Sequence, residues 1–161
     1  METVRNLKKA KTWNMVLLVL CSIFLIITLF SLPTALNPDP SLYNEQLLGP
    51  QASQLYEQAN SLQSKVYASI DVVISIAIVV LLFLNNQKLK RRTLASKTPY
   101  YLYLGWAVVG IVYSLLFTPS VDLGEMTQMM TIITLVVQIL LALPAILALI
   151  YLFKADTEEE I

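Results

Sequence analysis

Four long apolar stretches divide the chain, and shorter polar segments separate them. They run from Trp13 to Leu36, from Val66 to Leu84, from Tyr100 to Phe117 and from Met126 to Phe153. A helix rises roughly 1.5 Å per residue, so about 20 apolar residues cross the roughly 30 Å hydrocarbon core of a bilayer. Each stretch therefore predicts a spanning helix, over about 13–36, 66–84, 100–117 and 126–153. The runs are too long for barrel strands, and in lipid every backbone polar group needs a partner inside its own segment. The third helix is short, and Pro99 suits its first turn. The fourth is long and is expected to tilt, or to bend at Pro144, which lacks a backbone donor.

The polar segments are patterned too. The stretch of about 37–65 opens with Asn37-Pro38-Asp39-Pro40, a turn former, and is broken again at Gly49-Pro50. Beyond it Leu55, Ala59, Leu62 and Val66 recur at steps of four, three and four, with Gln54, Glu57, Gln58, Gln63 and Ser64 between them. That spacing predicts an amphipathic helix from about residue 51, continuous with the second spanning helix and standing on the order of 20 Å beyond the membrane. Leu55, Ala59 and Leu62 make its apolar stripe, a candidate contact for a partner helix or for the outer leaflet.

Composition supports lipid as the solvent. Of the 161 residues, 57% are hydrophobic and 14% charged; a soluble domain carries about 25% charge. The mean hydropathy is +0.66. A soluble fold of this length does not bury so much apolar surface. The expected fold is an all-α integral membrane protein, a single domain of four transmembrane helices with a helical extracytoplasmic extension of the second.

Net charge is zero, but the signs are segregated. Arg5, Lys8, Lys9 and Lys11 precede the first run; Lys88, Lys90, Arg91, Arg92 and Lys97 lie in the loop of about 85–98; Lys154 follows the fourth run. The other two loops hold Lys65 alone, against Asp39, Glu45, Glu57, Asp122 and Glu125. The positive-inside rule then places both termini and the basic loop in the cytoplasm of a cell-membrane protein. Trp13, Tyr100, Tyr101, Tyr103 and Tyr151 are expected as anchors at that interface. The stretch from Met15 to Leu32 is longer than a signal-peptide core, and Pro33-Thr34-Ala35 is a poor cleavage site, so the first run is expected to remain as a span. The acidic run from Asp156 to Glu160 is expected to be a solvated, frayed tail.

Candidate chemistry is sparse. There is no histidine and a single cysteine, Cys21, which excludes His-based zinc sites, Ser-His-Asp triads and an internal disulfide. Cys21 itself reads as a small buried hydrophobe. No Walker A loop or paired-Cys motif occurs, no cofactor is implied and an enzyme is not expected. No basic patch interleaved with aromatics points to nucleic acid. The basic loop attracts anionic lipid by about 1 kcal/mol per charge, which orientation alone already explains.

Asp71 is the only ionisable residue well inside a run. A carboxylate there costs several kcal/mol unless it is paired, hydrated or protonated. Three readings fit it: a binding or transport group, an interhelical hydrogen bond, or a position at the membrane interface. Ser75 lies one turn away; Thr28, Ser31, Tyr113, Ser114, Thr131 and Thr134 fall at similar depth, so Asp71, Ser75, Tyr113, Thr131 and Thr134 form a candidate ligand- or ion-binding layer. The competing reading is that Ser and Thr simply bond their own helix backbone. Gln138, mid-way along the fourth run, is a candidate for packing or partner contact. Gly105 and Gly110 are five apart, so they make no GxxxG face but allow close helix approach.

Two functions follow as expectations. The first is a small membrane interaction protein, an accessory, assembly or regulatory subunit whose partners are the bilayer and another membrane protein. The second is a homo-oligomeric transporter or channel that uses Asp71 for a proton, cation or substrate.

Overall fold

The computed structural model describes residues 2–117 and 125–159; the side chains of residues 47, 125–128, 131, 158 and 159 fall outside the described residues. Helix α1 covers Glu2–Leu36, α2 Glu45–Leu48, α3 Ala52–Asn60, α4 Leu62–Lys90, α5 Thr98–Phe117 and α6 Glu125–Glu159. Two 3-10 turns, Pro40–Leu42 and Gly49–Gln51, flank α2. Helices α1, α4, α5 and the Ile132–Thr157 part of α6 are long and apolar enough to cross a membrane.

The helices outrun the apolar stretches that announce them. Helix α1 starts eleven residues before Trp13 because Asn6, Leu7 and Ala10 already belong to a buried face. Helix α4 continues to Lys90, with Lys88 and Lys90 in its last turn, where cations favour the helix dipole. Two residues past its end Arg92 takes a left-handed φ of 58°, while the amide and hydroxyl of Thr93 both donate to the carbonyl of Lys88. The acidic tail is not frayed where it is described: α6 is helical to Glu159, and Asp156 pairs with Lys97.

The extension is also broken where one continuous helix was expected. Ser61 is extended (φ −64°, ψ 147°), and its hydroxyl accepts the amide hydrogen of Ser64, capping α4. A Ser side chain that satisfies a free helix-start donor competes well with continuing the helix. The break leaves Leu55 and Ala59 half-buried on α3, whereas Leu62, now the first residue of α4, is 78% exposed. In the segment from Tyr43 to Asn60, Tyr43 and Tyr56 meet edge to face at 5.5 Å, α3 contacts α1 and α4, and Ala52 is buried. Ahead of it Asp39 accepts the amide hydrogen of Ser41, which holds its carboxyl below the usual carboxylate range.

Packing is uneven. Helix α1 lies against both α6 and α4, and α5 touches α4 and α6 more lightly. The buried residues of α1 are Asn6, Leu7, Ala10, Asn14, Leu17 and Cys21, spaced by three and four beyond the first. Those of α4 beyond Val72 include Ile78, Leu82, Asn85 and Leu89, and α6 offers Ala145, Ala148, Leu152 and Ala155 at three, four and three. The three-and-four spacing is that of seam packing, and alanines let α1 and α6 approach closely. All of it lies in one half of the bundle, the half that carries the N terminus, the 91–97 loop and the end of α6. In the other half Val72 is the one buried residue of the described spanning helices. We call these the closed and open halves.

Candidate functional site

Polar side chains gather at two levels. In the closed half, Asn14 donates to the carbonyl of Leu82 at 3.1 Å and accepts the Tyr100 hydroxyl at 2.7 Å. Asn85 donates to the carbonyl of Ser96 at 2.6 Å and accepts its amide hydrogen at 3.2 Å. These bonds tie α1, α4, the 91–97 loop and the start of α5 together around buried amides. Tyr100, expected as an interface anchor, is fully buried instead, because its hydroxyl has a partner only inside the bundle. Tyr103 likewise turns inward and donates to the carbonyl of Leu141 at 3.1 Å. That carbonyl adjoins the one at Leu140, which loses its helical donor to Pro144.

The second level lies between α4 and α5 in the open half. Trp106, Gly110, Tyr113 and Phe117 fall at steps of four, three and four, hence on one face of α5. Tyr67 of α4 enters this face: its ring stacks on Tyr113 at 3.9 Å between centroids and lies nearly parallel to Trp106 at 5.7 Å. Gly110 leaves the room, since a Cβ there would stand 3.3 Å from the Tyr67 hydroxyl. Phe117 continues the ladder at 5.2 Å from Tyr113. Ser64 shares a hydrogen bond with Tyr113 at 3.2 Å, and Gln58 of α3 donates to the last carbonyl of α5, at Phe117. Asp71 sits one turn beyond Tyr67. It is half-buried, and one carboxylate oxygen accepts the indole N–H of Trp106 at 2.7 Å.

A crevice of about 120 Å³ lies between α1, α4 and α5; Asp71 is not part of its lining but is hydrogen-bonded to Trp106, which is. Phe24, Ser75, Ile78, Tyr103 and Trp106 line it, together with Cys21 at its closed-half side. Asp71, Ser75 and Tyr113 of the expected polar layer are therefore brought to one α4–α5 seam. The others are not. Thr28 and Thr134 donate to carbonyls of their own helices, at Phe24 and Met130, and Ser31 does the same to Thr28. The side chain of Thr131 lies outside the described residues. Gln138 is half-buried and makes no side-chain hydrogen bond among the described residues.

Sequence reasoning passed over Asn14, Asn85, Tyr67 and Trp106. The signals were present: an amide one residue inside the first run, and an aromatic–glycine–aromatic spacing on the third. Comparison with protein-family models, curated proteins and solved structures finds no match for this chain.

Proposed function

We propose that this chain is a multi-pass cell-membrane protein that acts by binding another membrane protein, as an accessory, assembly or regulatory subunit. Its termini and the 91–97 loop lie in the cytoplasm, on the strength of the charge asymmetry. Helix α6 between Ile132 and Leu143 is the contact face. The observation that carries this reading is Gln138: an amide in mid-span, half-buried, with no hydrogen bond to the described residues of its own bundle. Lipid offers it no partner, and an unpaired amide in an apolar medium is costly. A neighbouring helix that presents a hydroxyl or amide supplies one, for about 0.6–2 kcal/mol. The apolar surface around it accepts either lipid or a partner, so the amide gives the interaction its register. Tagged protein extracted in mild detergent is expected to bring down a stoichiometric membrane partner, and Gln138→Leu to lose most of it. A monomer or homodimer alone counts against this function.

A homo-oligomeric transporter or channel is the second reading, favoured by one observation: the side chain that holds Asp71, Trp106, also lines the crevice. In liposomes reconstituted with the purified protein, Asp71→Asn abolishes flux on this reading; unaltered flux eliminates the carboxylate as its carrier.

A further inference from the structure

We infer that the crevice between α1, α4 and α5 is a binding site for a small organic ammonium, its apolar body in the crevice and its cation on Asp71. This names a ligand class for the carboxylate of the second reading and rests on that reading only for the choice of Asp71; it does not require transport.

Space comes first. The crevice holds about 120 Å³, close to the roughly 150 Å³ of a cavity known to admit benzene. A body of about one ring fits, and a large polycyclic one does not. The walls match an apolar body: Phe24, Ile78 and Ala107 supply hydrocarbon, and Trp106 a broad ring. Ser75 is the small hydroxyl on the wall nearest Asp71 in sequence.

Charge decides the rest. Among the described residues the ion pairs are Arg5 with Glu2 and Lys97 with Asp156, both at the closed end. Lys65, the basic residue nearest Asp71 along α4, is committed to Asn60 beyond the start of the spanning helix. Among the described residues Asp71 thus has one neutral donor, the Trp106 indole, and no ion pair to a protein cation. A single hydrogen bond leaves most of the acceptor capacity of a carboxylate unused. In a medium this poor in water, an added positive charge is strongly favoured at such a group. An aromatic wall beside it adds cation–π attraction, which metal ions with tight hydration shells exploit less well than organic ammonium groups. An anion of the same shape is repelled, and a neutral one forgoes the pair.

The ammonium is carried either by a free amine or by a lipid headgroup such as phosphatidylethanolamine. The experiment separates the two. The chain has two tryptophans, so Trp13→Phe leaves Trp106 as sole reporter. That variant, in nanodiscs of phosphatidylglycerol, is titrated with benzyltrimethylammonium while indole emission is followed. A saturable change is expected, with neopentylbenzene, its uncharged isostere, at least tenfold weaker. Asp71→Asn is expected to lose at least tenfold in affinity for the cation and nothing for the neutral compound. Ala107→Leu, which fills the crevice and keeps the carboxylate, weakens both. In phosphatidylethanolamine nanodiscs, a lower apparent affinity for the probe identifies the headgroup as an occupant, and an unchanged one identifies free amines. Equal binding of the charged and neutral probes, or full affinity in Asp71→Asn, overturns the inference. Flux that persists without ammonium binding removes this ligand class and leaves transport standing; binding without flux does the reverse.

Discussion

Leu82 and Leu135 are the same residue type, each within a spanning helix, yet Leu82 is fully buried and Leu135 is 47% exposed. The first belongs to the closed half, the second to the open one. The contrast extends to the polar groups. Closed-half amides bond beyond their own helix: Asn14 accepts the Tyr100 hydroxyl of α5, and Asn85 donates to Ser96 in the 91–97 loop. Open-half hydroxyls mostly bond their own helix, as Thr28 and Thr134 do. In water such an open half would collapse, because exposed apolar surface is driven together. In lipid that drive is absent, and association rests on close packing and hydrogen bonds. The alanines that permit close packing sit on α1 and α6 in the closed half; in the open half Gly110, beneath Tyr67, is a comparable device. The closed half is thus the scaffold, and the open half has surface and polar capacity left for a ligand or partner.

The hardest test of this contrast is a pair of leucines. Leu82→Ala removes a sealed side chain and is expected to cost about 2–5 kcal/mol in a denaturation titration in mixed micelles. Leu135→Ala exchanges helix–lipid contact for lipid–lipid contact and is expected to change stability by less than about 0.5 kcal/mol. Equal losses would mean that α6 is as tightly held at Leu135 as α4 is at Leu82, and the division into halves would fail.

A somewhat smaller effect belongs to the closed-half network. Asn14→Leu strands the Tyr100 hydroxyl in a sealed site, at a cost of about 1–3 kcal/mol. Adding Tyr100→Phe removes the stranded group, so the double variant is expected to recover most of the loss. A double variant as poor as the sum of the two singles would show that the amide acts through shape and not through this bond.

In the open half, Trp106→Phe deletes the donor to Asp71 and keeps the ring. The expected loss is about 0.6–1.7 kcal/mol, the range of interhelical hydrogen bonds in membranes. It lies at the lower end because Asp71 is only half-buried, whereas Tyr100 is sealed. The same variant combined with Asp71→Asn should show coupling; additive effects would separate the two residues.

The ranking of these effects tracks what the sequence made legible. Four spans follow from run length alone, since lipid thickness fixes how many apolar residues a helix needs. The seam was hidden for the same reason that the spans were visible: in a helix apolar on every side, Leu82 and Leu135 read alike. Only polar residues mark a face there, and Asn14 and Asn85 would have marked this one. The break at Ser61 was illegible because Leu55, Ala59, Leu62 and Val66 keep helical spacing across it; the deciding factor is a single hydroxyl that finds the amide of Ser64. Asp71 stood out as the ionisable residue inside an apolar run, but its partner Trp106 lies 35 residues away and meets it only through the α4–α5 crossing.

Gly105 and Gly110 give the finest test, because they differ only in what surrounds them. Both lie in α5, where glycine is less favourable than alanine by about 0.5–1 kcal/mol. At Gly105 a new methyl meets nothing within 4 Å, so Gly105→Ala is expected to stabilise by up to that amount. At Gly110 it stands 3.3 Å from the Tyr67 hydroxyl. That ring has little freedom to retreat, with Tyr113 stacked at 3.9 Å and Trp106 beside it at 5.7 Å. Gly110→Ala is therefore expected to fall short of Gly105→Ala by roughly 0.5 kcal/mol, as the strain offsets the helix gain. It should also shift Trp106 emission in the Trp13→Phe background, which Gly105→Ala should leave unmoved. If both alanines stabilise equally and emission stays constant in both, the aromatic ladder yields as readily as the lipid around it, and the open half has no fixed point on which to hold Asp71.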